Sequence, residues 1–161
     1  LNKKEPAILK EFFDIEAPFI RVLLKMEQAG VTLDTAKLKE LLAKDGKQLN
    51  SLVTYHDPCH ARKTQGVWRE PRALLAQNFK TIEMENPNRC CGFGGVTIQT
   101  ERFELAKKAG APKAKMIEET KADIVSAECS ACRMQLTNAM HEHGVNTVFK
   151  NPIELVDEAL R

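Results

Sequence analysis

The first 58 residues of this 161-residue chain contain no cysteine, although the chain has five. Long apolar runs are missing as well. None approaches the roughly 20 residues that a membrane-spanning helix requires, so direct membrane insertion is not expected. Neither sign of charge prevails, with 24 Lys and Arg against 22 Asp and Glu. The balance holds within each part of the chain, 9 against 8 over residues 1–52 and 15 against 14 over residues 53–161. A basic excess of the kind nucleic-acid surfaces carry is therefore absent, and nucleic acid is not an expected partner. Residues 1–30 place Lys, Glu and Asp among the apolar positions, unlike a secretory signal, so a cytoplasmic location is expected. Internal repeats and low-complexity tracts are also lacking. What is present suits one domain with an appendage, since 43% of residues are apolar and 29% charged, enough to enclose a core.

Two sections follow from the pattern. Between Pro6 and Gln28 the residues Ile8, Leu9, Phe12, Phe13, Ile15, Phe19, Ile20, Leu23, Leu24 and Met26 recur at helical spacing. Pro18 divides or kinks this stretch, and Gly30 is a suitable stop. Asp34 can cap a second helix from Thr35 to about Leu49, with Leu38, Leu41, Leu42 and Leu49 on one side and a break near Asp45-Gly46. Residues 1–52 thus read as a helical hairpin. Its apolar face is expected to pack on the second section or to form a homodimer through four helices. After Leu52, β-prone runs at Val53–Tyr55, Phe79–Met84, Ala122–Ala127 and Asn146–Phe149 alternate with helical patterns. The helices are expected at Glu70–Ala76, Val96–Ala109, Lys113–Thr120, Ala131–His143 and Pro152–Leu160. This order predicts an α/β fold with a mainly parallel sheet flanked by helices.

All five cysteines lie in the second section. Cys59 closes Tyr55-His56-Asp57-Pro58-Cys59-His60, after a strand. Cys90 and Cys91 open Cys-Cys-Gly-Phe-Gly-Gly, where Gly92, Gly94 and Gly95 let backbone approach a bound group. Cys129 and Cys132 lie between a strand and a helix. Parallel strands would bring the three elements to one carboxyl edge of the sheet, the usual ligand edge of such folds. An odd number of cysteines without an export signal is a poor disulfide framework. An iron–sulfur cluster is the leading reading, because soft sulfur ligands suit it. A structural zinc with four ligands is the alternative. A redox dithiol at Cys129 and Cys132 would leave three cysteines idle, and inert packing does not explain an adjacent pair in a glycine loop.

The cysteine spacing and its neighbours resemble the cysteine-rich CCG domain. The matching residues include Tyr55-His56-Asp57-Pro58-Cys59-His60, Gly66-Val67, Glu70-Pro71-Arg72, Cys90-Cys91-Gly92-Phe93-Gly94-Gly95 and Asn151-Pro152-Ile153-Glu154-Leu155. That domain occurs in heterodisulfide reductase B subunits and in subunits of succinate dehydrogenase, fumarate reductase, glycerol-3-phosphate dehydrogenase and lactate-utilisation complexes. The likeness covers residues 53–161 and looks closest to the succinate dehydrogenase or fumarate reductase type. It implies that Cys59, Cys90, Cys91, Cys129 and Cys132 are ligands of a non-cubane 4Fe–4S cluster, or of zinc as in some relatives. It further implies electron transfer, with other subunits of a redox complex as partners and any membrane association made through them. Family members usually carry two such motifs and this chain carries one, which implies a partial or non-catalytic piece of an oxidoreductase subunit. Residues 7–50 resemble a segment of bacterial DNA polymerase I without its catalytic motifs, which suggests a chimera.

The remaining polar residues read more plainly. His56 and His60 flank Cys59 and are expected to form hydrogen bonds near the site rather than ligate metal. Arg62, Lys63 and Arg133 read as surface cations, Trp68 as core, and His141 and His143 as residues of a helix end.

Overall fold

The computed structural model describes residues 35–161 apart from 95, 96, 98 and 99. The hairpin helices expected before residue 35, and Gly95, lie outside the described residues.

Ala36–Arg161 form one compact unit. Helix α1 (Thr35–Asp45) leads into strand β1 (Leu49–Tyr55), followed by a π-helical turn (His60–Gln65) and α2 (Arg69–Leu75). Strand β2 (Phe79–Ile82) precedes the cysteine–glycine loop and helix α3 (Phe103–Thr120). Strand β3 (Ile124–Ser126), α4 (Ser130–Glu142), β4 (Val148–Lys150) and α5 (Pro152–Leu160) complete the chain. The four strands are ordered β2-β1-β3-β4, and every pairing is parallel. Val53 lies opposite Ile124, and Ile124 opposite Val148. The fold is α/β, as the alternation of patterns implies.

Because strand side chains alternate between faces, the sheet feeds two cores. On one face Val53, Tyr55 and Ile124 pack with Leu42, Leu75, Phe79, Leu155 and Val156 from α1, α2, β2 and α5. On the other, Val125 and Phe149 pack with Met84, Ile117, Leu136 and Met140. Each such buried side chain is worth about 1.5–3 kcal/mol of transfer free energy.

Three elements differ from the sequence reading. First, α1 stops at Asp45 and Leu49 begins a strand, while Leu41 of the expected apolar side is 37% exposed. Gly46 explains the stop: it donates to the Leu42 carbonyl at 3.0 Å, and a Cβ there would come 2.4 Å from Asn78 Nδ2. Second, β1 starts four residues earlier than Val53, so the division expected at residue 52 falls inside a strand. Third, the helices expected at Val96–Ala109 and Lys113–Thr120 are one helix from Phe103, with Pro112 inside it. The proline removes only the bond to Lys108, an exposed residue whose carbonyl can turn to water.

Parallel pairing places the carboxyl ends of β1, β2 and β3 on one edge. Since β2 and β3 flank β1 on opposite sides, that edge contains the crevice in which open α/β sheets hold ligands. Among the described residues no helix is long and apolar enough to cross a membrane.

Candidate metal centre

Each cysteine element leaves its strand under local control. At the end of β1 the His56 amide donates to the Ser126 carbonyl at 2.9 Å, binding this exit to that of β3. The Asp57 carboxylate is fully buried and accepts from Arg62 and, at 2.6 Å, from Arg72. Arg72 also reaches Glu83 with its second terminal nitrogen at 3.0 Å, which joins the β1 exit to the β2 exit. Cys59 then starts the π-helical turn, closed by Gly66 at φ +72°.

Past β2, Met84 is buried and the loop turns at Asn86–Arg89. Cys90 is exposed and Cys91 buried. Gly92 has φ +91°, and a Cβ there would come 2.6 Å from the Ala109 Cβ. This position requires glycine on both counts, and the loop lies hard against α3. The Gly92 amide donates to Cys90 Sγ at 3.4 Å. Past β3, Tyr55 donates its hydroxyl hydrogen to Glu128, and Cys129 caps α4 by accepting from the Cys132 amide at 3.4 Å. Amides thus already point at two of the sulfurs, one of them at a helix start.

The buried centre consists of His56, Cys91 and Cys132, whose ligand atoms all lie within 4.8 Å of one another. Cys91 Sγ and Cys132 Sγ are 3.5 Å apart. Cys91 is pulled down in pKa, mainly by the hydrogen bond from Cys132, which outweighs burial, with His56 adding to the effect. Cys132 is pushed up by that same bond, and burial adds to it. Both ring nitrogens of His56 are buried with no hydrogen-bond partner. An orphaned imidazole beside two buried sulfurs is costly to bury, and a bound metal group would meet that need. The donor set, soft sulfur with backbone amides aimed at it, fits an iron–sulfur group.

Residues 53–137 match the family model described as a cysteine-rich domain, CCG. The chain belongs to this family. Similar curated proteins point the same way. An uncharacterized iron-sulfur protein of Methanococcus maripaludis is 40% identical, over 76% of this chain and 27% of that protein. A CoM/CoB fumarate reductase component from Methanothermobacter marburgensis is 36% identical, over 81% and 28%. A dihydromethanophenazine:CoB–CoM heterodisulfide reductase component from Methanosarcina barkeri is 37% identical, over 71% and 29%. The chain thus spans between a quarter and a third of the length of these relatives.

The polymerase resemblance of residues 7–50, and the chimera it suggested, are not borne out. Residues 53–161 are about two thirds of the chain, so a match over 81% of it must run into the first section.

Of the expected site residues in this CCG domain, Cys91 and Cys132 meet directly, and Cys129 adjoins them through its cap. Cys59 and Cys90 are exposed on the flanking loops, outside the buried group. Gly94 is exposed, its amide donating to Thr97 Oγ1 at 3.0 Å. The hydrogen bonds expected of His56 are not formed by its ring, whose ligand atom lies within 4.8 Å of the Cys91 and Cys132 sulfurs. Trp68 is not a core residue. It is half-buried between the Arg62 and Arg69 guanidiniums, 4.7 and 4.6 Å from its ring centre. Sequence reasoning passed over Asp57 and Lys113. Lys113 falls at helical spacing with the buried Ala106, Gly110, Ile117 and Thr120, a signal that could have found it.

Proposed function

We propose that this CCG domain holds one iron–sulfur cluster and carries electrons as a piece of an oxidoreductase complex. The convergence of buried His56, Cys91 and Cys132 at the sheet's ligand edge is the observation that supports it. On this reading Cys59, Cys90, Cys91, Cys129 and Cys132 are the ligands. When bound, the cluster supplies a group that accepts and releases single electrons.

The chain's own residues do the rest. Cys91 is disposed to give up its proton, while the bond to Cys91 and burial hold Cys132 toward its thiol form, so binding of a metal group would be coupled to proton release. Exposed Cys59 and Cys90 close over the mouth from the β1 and β2 exits, while Cys91 and Cys132 form the dry floor. The amides of Gly92 and Cys132 donate to sulfur and so help set the potential. A sulfur ligand set of five exceeds the four of an ordinary cubane cluster, which favours the non-cubane type. The relatives' names describe subunits of redox enzymes. Other subunits are therefore the proposed partners, with a cytoplasmic location and membrane association only through them. A reaction site formed between two motifs would need the part of the relatives that this chain does not span.

The test is a reductive titration of anaerobically loaded protein followed by electron paramagnetic resonance. A signal that appears and disappears reversibly is expected. Spectra identical to those of a four-cysteine cubane cluster would overturn the non-cubane assignment. A metal site that takes up no electron would overturn the electron-transfer role.

A further inference from the structure

Lys113 is fully buried, at 0% exposure, on a helix whose outer face is rich in charge. Its Nζ donates to the carbonyls of Asn86 at 2.6 Å and Pro87 at 3.3 Å, and lies 3.5 Å from Met84 Sδ. Met84 packs in one core with Cys91 and Cys132. The two carbonyls belong to the loop that runs from β2 to Cys90 and Cys91. Pro87 also accepts from the Asp57 amide at 3.0 Å. One ammonium group thereby ties α3 to two of the three cysteine elements.

Its charge has no direct counter-ion. No carboxylate among the described residues forms an ion pair with Lys113, and Asp57 is already held by Arg62 and Arg72. A buried ammonium without a counter-ion costs several kcal/mol, and two carbonyl dipoles offset only part of that. Burial accordingly lowers the Lys113 pKa to about 8, while the charges of Asp57 and Cys91 favour the ammonium and Arg89 opposes it. The side chain still carries its proton at neutral pH. A cluster held by thiolates is an anion at this place.

We propose that Lys113 is a positioning residue for the cysteine centre, fixing the loop before Cys90 and Cys91 to helix α3 and supplying the buried positive charge that an anionic metal–thiolate group requires. The charge role rests on the iron–sulfur reading above. The clamp does not.

The test compares wild type with Lys113→Met, which removes both donor and charge, and Lys113→Gln, which keeps a donor without charge. In metal-free protein, amide exchange over residues 86–91 should quicken at least tenfold in K113M and less in K113Q. Unchanged exchange in K113M overturns the clamp. In iron-loaded protein both variants should have a more negative midpoint potential, because an added electron loses its nearby cation. The expected size is a tenfold change in the one-electron equilibrium, about 59 mV. A cluster bound by both variants at the wild-type potential overturns the charge role, since a purely structural lysine would leave the potential alone. If K113M does not fold, K113Q carries both measurements, and exchange unchanged in K113Q then overturns the clamp. Wild type that takes up no iron overturns the iron–sulfur reading and the charge role with it, while the exchange result still decides the clamp.

Discussion

Cys91 and Cys132 sit in the core and Cys59 and Cys90 at the surface, so identical substitutions at the two pairs should have different consequences. Cys91→Ser or Cys132→Ser puts a hydroxyl into an apolar core that also includes Leu136 and Phe149, at a cost of about 1–3 kcal/mol in the metal-free protein. Cys59→Ser or Cys90→Ser should change that stability by less than about 0.5 kcal/mol. All four should lower bound iron. Denaturant unfolding of the metal-free variants, with iron analysis of the loaded ones, separates the two effects. Equal destabilisation by all four, or full iron content in any of them, would contradict this division of floor and mouth. The five cysteines were legible because their spacing and glycine context are unusual. Lys113 was not, since in Ala-Pro-Lys-Ala-Lys a lysine reads as solvated until α3 is known to be continuous through Pro112. The unpartnered state of His56 was equally hidden, because it depends on what surrounds the ring in space.

The strand runs and the helix at Pro152 were readable from β-branched clusters and from proline at a helix start. Glu154 accepts from the Asn151 amide at 2.6 Å and fixes that start. The misjudged elements are those where a local breaker is overruled by packing, or where packing sharpens it. Pro112 stays helical because Ala114 and Ile117 beyond it are as buried as Ala106 before it. Gly46 ends α1 because Asn78 approaches it closely. Within the cysteine loop the glycines are not equivalent. Gly92→Ala meets both an unfavourable φ and Ala109, and should cost about 1–3 kcal/mol. Gly94→Ala meets nothing within 4 Å and should be neutral within about 0.5 kcal/mol. Chemical denaturation of the two variants checks this. Equal stabilities would show that the loop is not pressed against α3.

At the scale of the whole molecule, the sheet and its two cores draw on residues from Leu42 to Ala159. A chain that starts at residue 36 keeps the compact unit and all five cysteines. It should unfold cooperatively and take up iron. A chain that starts at residue 51 loses Leu42 and the start of β1. Loss of the leucine alone costs about 2–5 kcal/mol, so this chain should melt far lower or fail to fold. Circular dichroism on both chains decides between a unit that includes α1 and one that begins after Leu52. The claim on which the rest depends is that the carboxyl edge of this sheet holds iron and sulfide. Its most direct test is the iron and acid-labile sulfide content of the full chain, purified and reconstituted without oxygen. Brown protein with both elements bound, and lost together in Cys132→Ser, is the expected result; colourless protein that binds one zinc per chain, or no metal at all, would contradict it.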